Sequence, residues 1–306
     1  MAITTYARTG VDQIYQCGPE SLVKESQVIV AGKITHYSKV VNSTSQGEPI
    51  PLIWTASGQI EQPIVIKGAV STLPILFSKV ERVVFLPSDP YQPNWLSDYG
   101  KLKPEGSVVL FFQGVTDKPP STVLPGGDNP DSLFALLKGI ASIQAIGDLQ
   151  EQADAWLRAL KNARTDEAQK AALRSLAGFD TPWSTLAPVL EQVVANPATS
   201  LDIRGFIFGI VTFQVRQEKF GLQQREAVQF LCREFLAVKD TRLLLGFVLN
   251  LKLLLHYTGQ SEGRQGRLPI ERLIIEALKQ RKTMGSMPTE IVEQYQDIEE
   301  THPEIR

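Results

Sequence analysis

At 306 residues the chain exceeds the usual reach of one hydrophobic core, so two domains are the expectation. Its composition, 43% hydrophobic and 21% charged, is ordinary for a soluble globular protein and argues against disorder and against a membrane protein. Charge narrows the partners: the net value is −2, with ten Lys/Arg against ten Asp/Glu over residues 1–120 and 21 against 23 over the rest. Neither half offers the basic excess on which phosphate recognition depends, so nucleic acid is not an expected partner.

The opening residues, MAITTYARTGVDQIYQ, hold no apolar run flanked by basic residues, and no secretory signal is expected within them. The place of the protein stays open between the cytoplasm and an exported form from which a leader has been removed. Gly18–Ser26 reads as a short helix or turn, and Gln27–Tyr37 as a strand, with Val28, Val30, Gly32, Ile34 and His36 alternating with Ile29, Ala31, Lys33, Thr35 and Tyr37. Further short strands are expected at Pro51–Ala56, Gln62–Lys67, Pro74–Ser78, Arg82–Leu86 and Ser107–Gln113, each β-branched or aromatic and bounded by Gly, Pro, Ser or Asn. So many short strands in so short a span point to a small closed antiparallel barrel, since closure removes exposed edges. Between them lies Pro87–Gly106, a long segment carrying Tyr91, Trp95 and Tyr99 beside Asp89 and Asp98.

The period then changes from two to 3.6 across Gly114–Asp131, GVTDKPPSTVLPGGDNPD, whose prolines and glycines are expected to form neither regular element and to mark the domain boundary. Helices are expected at Ser132–Ala145 with Asp131 as N-cap, at Asp148–Leu160 with Leu149, Ala153, Trp156, Leu157 and Leu160 on one face, and at Asp166–Leu176 capped by Thr165. Thr181-Pro182 reads as a cap and first-turn proline for the next, and later ones span about Leu201–Glu218, Leu222–Ala237, Asp240–His256 and Pro269–Lys279. The longest apolar stretches, Leu243–Leu249 and Leu251–Leu255, are interrupted by Asn250 and Lys252 and fall short of the ~20 residues of a membrane span. The organisation expected is a barrel domain at 1–117, a linker at 118–131, a helical domain at 132–285 and a charged tail at 286–306.

Helices beginning near Asp166, Leu201 and Asp240 each precede one near Thr185, Leu222 and Pro269, a repeat of about 34 to 40 residues. A pair of such helices cannot bury both apolar faces alone, whereas stacked pairs can. In "DEAQKAALRSLAGFDTPWSTLAPVLEQVVANPATSLDIRGFIFGIV" this half resembles the HEAT-type α-solenoids: an acidic first turn, an Ala/Leu-rich first helix, a Leu/Val second helix, then the Asp-x-Arg opening at Asp202-Ile203-Arg204. The first half is similar to the OB-type barrels of netrin-like modules through "SLVKESQVIVAGKITHY", "IVIKGA" and "KLKPEGSVVLFFQG", without the cysteine framework of the animal members. Together the resemblances imply a multi-domain α+β protein, an OB-like barrel followed by a HEAT-like helical solenoid.

No catalytic or cofactor motif stands out. His36, His256 and His302 share no metal-ligand spacing with each other or with a cysteine, and Gly126-Gly127 lacks the GKS/GKT ending of a phosphate loop. Cys17 and Cys232 are too few for a disulfide framework, and Cys232, beside Ala227, Val228, Leu231 and Phe235, reads as a buried inert thiol. Gly205, Gly209, Thr212 and Arg216 form a small-residue stripe expected to admit a neighbouring helix. The candidate binding residues are Tyr91, Trp95, Asp98 and Tyr99, as anchors with polar tips, and Arg204, Gln214 and Arg216 on the helical face. The function expected is non-enzymatic: a scaffold or assembly protein binding another protein, with no cofactor or metal. The alternative is a ligand-binding protein or hydrolytic enzyme using His36, Asp98, Lys101 and Glu105 at a cleft between the domains.

Overall fold

The computed structural model describes residues 18–42, 53–82, 102–116, 119–260, 268–285 and 287–305. The chain divides into two compact units, Met1–Gly147 and Asp148–Arg306.

The first unit is α+β. Helix α1 (Pro19–Glu25) precedes strands β1 (Val28–Lys33), β2 (Thr35–Asn42), β3 (Ile53–Ile60), β4 (Ile64–Lys67), β5 (Ile75–Arg82), β6 (Ser107–Phe112) and β7 (Thr122–Pro125), and helix α2 (Pro130–Gln144) follows. The expected single closed barrel is not formed. The strands make two antiparallel sheets, ordered β4-β1-β6-β7 and β2-β3-β5. The strand expected over Gln27–Tyr37 is divided between them: β1 ends at Lys33, Ile34 turns into the core with its N–H on Gly106 O at 2.8 Å, and β2 begins with a bulge in which His36 takes φ 52°. The bulge re-aims the chain from one sheet to the other.

Burial explains the layers. Val28 and Val30 of β1, with Ile34 just after it, join Val108, Leu110, Phe112 and Val123 in a core shared with Ala56, Ile60, Ile75 and Phe77 of the second sheet. The opposite face of the first sheet, Ile29, Ala31, Val109, Phe111 and Leu124, is buried as well, because α2 lies against β4 and β6 and pairs with α1. A sheet covered on both faces loses the polar–apolar alternation expected of β1. The second sheet keeps it: in β5, Ile75 and Phe77 are buried while Leu76 and Ser78 are exposed. Gly32 permits a close approach of the two sheets, since a Cβ there would lie 2.5 Å from Ile60 Cγ2.

The Pro/Gly stretch behaves differently from its expectation. Thr122–Pro125 pairs antiparallel with β6, from Phe111↔Thr122 to Val108↔Pro125, as an edge strand, where a proline's missing N–H is tolerated. The next helix starts earlier than expected, with Asn129 rather than Asp131 accepting the Ser132 N–H, and it packs on the sheet, so the break between units falls after it.

The second unit is all helical: α3 (Leu149–Asn162), α4 (Asp166–Ala177), α5 (Trp183–Ala195), α6 (Leu201–Arg216), α7 (Gln224–Ala237), α8 (Thr241–Gln260), α9 (Leu268–Thr283) and α10 (Thr289–Thr301). Asp148, Thr165, Ser200 and Asp240 cap α3, α4, α6 and α8 with side-chain oxygens. Thr181 does not cap α5; the free Ser184 N–H is taken by Gln223 Oε1, one helix pair further on. Leu149, expected on the buried face of α3, is 70% exposed, because it stands at the first position of its helix.

Helices two apart in sequence lie side by side: α4, α6, α8 and α10 form one layer, and α3, α5, α7 and α9 the other. Side-chain bonds between neighbours span 34 to 45 residues of sequence: 34 for Ser200–Asp166, 39 for Lys219–Asp180, 41 for Cys232–Leu273, 42 for Arg233–Glu191 and 45 for Lys252–Asp297. The expected tail is instead a packed helix. In α10, Ile291, Tyr295 and Ile298 are buried, and Lys252–Asp297 and Lys282–Glu299 tie it to α8 and α9. Among the described residues no helix is long and apolar enough to cross a membrane.

Candidate binding site

Tyr91, Trp95, Asp98, Tyr99 and Lys101 lie outside the described residues. His36 and Glu105 are exposed, with His36 Nδ1 3.5 Å from Glu61 Oε1. Among the described residues no three His, Cys, Asp or Glu side chains converge to hold a metal ion.

The three candidates on α6 separate sharply. Gln214 is 1% exposed, and both its amide atoms are buried without a hydrogen-bond partner among the described residues, so it is a core residue and not part of a binding surface. It follows Thr212, also buried, whose Oγ1 is likewise unpartnered. Arg216, at the last position of α6, is half-buried with an unpartnered Nε. The small-residue stripe does admit a neighbour: a Cβ on Gly205 would stand 3.1 Å from Leu243 Cδ1 of α8.

Arg204 lines a cavity. It lies in the second turn of α6, whose direction is set by Ser200 accepting the Ile203 N–H, and its Nη2 donates to Asn196 O at 3.3 Å. The cavity, about 50 Å³, opens between the ends of α5 to α8 and is walled by Phe208, Phe230, Leu243 and Phe247, with Arg204 and Glu234 as its charged groups. Phe208 and Phe247, one repeat apart, stack at 3.7 Å and 14° and make a rigid wall.

Electrostatics make the two charged groups unequal. Burial pushes the Glu234 carboxyl above its ordinary value, against the pull of Arg233 and Arg204. Glu234 Oε1 lies 3.7 Å from Arg233 Nε, and Arg233 also holds Glu191 at 2.8 Å while its guanidinium covers the Phe230 ring at 5.6 Å. Arg204 has no ion pair among the described residues. Its charge also acts on the Glu234 carboxyl, so the cavity is lined by one guanidinium and one carboxyl among apolar and aromatic side chains.

Arg204 was legible in the Asp202-Ile203-Arg204 opening, but Glu234, Phe230 and Phe247 were not singled out. The signal available was spacing: Phe230 and Glu234 are four apart on one helix face, and Phe247 follows Phe208 by one repeat. Comparison with protein families, with curated proteins and with solved structures finds no match to this chain.

Proposed function

We propose that the chain is a non-enzymatic interaction protein, a scaffold or assembly component that binds another protein through a HEAT-like solenoid formed by its helical unit. The observation that carries this is the two-layer stacking of α3 to α10, in which helices two apart are neighbours and are joined by bonds spanning 34 to 45 residues. Stacked helix pairs present extended side-chain surfaces to partners. On this surface the Arg204 cavity supplies a concave anchor point, and a concave apolar pocket with few polar groups is the usual form of an energetic centre. Tyr91, Trp95 and Tyr99 are the second anchor in this proposal.

The test is affinity capture of the full chain from its source cells, quantified by mass spectrometry for wild type, Arg204→Glu, and a Tyr91/Trp95/Tyr99→Ala triple variant. One protein recovered in constant ratio to wild type and depleted at least ~10-fold by either variant is the expected result, as each ~1.4 kcal/mol lost at an anchor is tenfold in affinity. Recoveries indifferent to both variants would refute it.

A further inference from the structure

We draw no further inference here: the strongest candidate, the apolar cavity lined by Arg204 and Glu234 between the ends of α5 to α8, belongs to the site already described, its charges cancel, and nothing in the structure shows what covers it.

Discussion

Gln214→Met is expected to stabilise the helical unit. The side chain is 1% exposed, and both Nε2 and Oε1 are buried without a hydrogen-bond partner among the described residues. An unsatisfied buried polar group costs about 1–3 kcal/mol, whereas Met keeps the length and most of the volume of Gln with a similar helix propensity. Removing two such groups while retaining the packing should return about 2 kcal/mol. For a unit of this size, each kcal/mol moves the midpoint by roughly 2–4 °C, so a rise of about 4–8 °C is expected. Thr212→Val is the independent control: it removes one orphan hydroxyl at nearly constant shape, should add about 1 kcal/mol, and points elsewhere on the helix, so the two gains should be close to additive. Thermal and urea unfolding measure both, and partner capture should be unchanged. A Met variant that melts below wild type would refute the reasoning, because it would mean the amide is satisfied by buried water.

Two further outcomes test other parts of the fold. Gly32→Ala should cost about 1–3 kcal/mol by driving a Cβ to 2.5 Å from Ile60 Cγ2; Ile60→Leu, which lacks that methyl, should restore part of it, and a double variant no better than the single would contradict the clash. Cys232, with Sγ directed at Leu273 O, has its thiol pushed up to about 12 by burial. Its folded value lies above its unfolded one, so its contribution is present below about pH 9 and lost as pH rises toward 12, at up to ~1.4 kcal/mol per unit. Denaturation at stepped pH should show wild type losing its advantage over Cys232→Ala in that window, and native protein should resist iodoacetamide at pH 8; a parallel pair of curves, or fast alkylation, would count against a buried thiol.

The local readings that held rest on short-range physics. Thr165 accepts the free Ala168 N–H of the helix that starts beside it, whereas Asp131 and Thr181 do not cap theirs, and the 34-to-40-residue spacing of the helix pairs lies close to the 34 to 45 residues that separate bonded neighbours. The tail was readable too, through Ile291, Tyr295 and Ile298 at helical spacing, although its charge hid them. Long-range contacts settled the rest. Thr122–Pro125 is a strand because β6 offers it an edge, despite the prolines and glycines around it. One alternating run became two strands because His36 turns the chain into a second sheet, and β1 lost its alternation because helices cover its outer face. Gln214 and Arg204, two polar residues on one helix, were indistinguishable in the sequence as candidates for a surface. Neighbouring helices surround the first and leave the second beside a cavity, since a helical residue's exposure depends on what packs against its face and not on its own polarity.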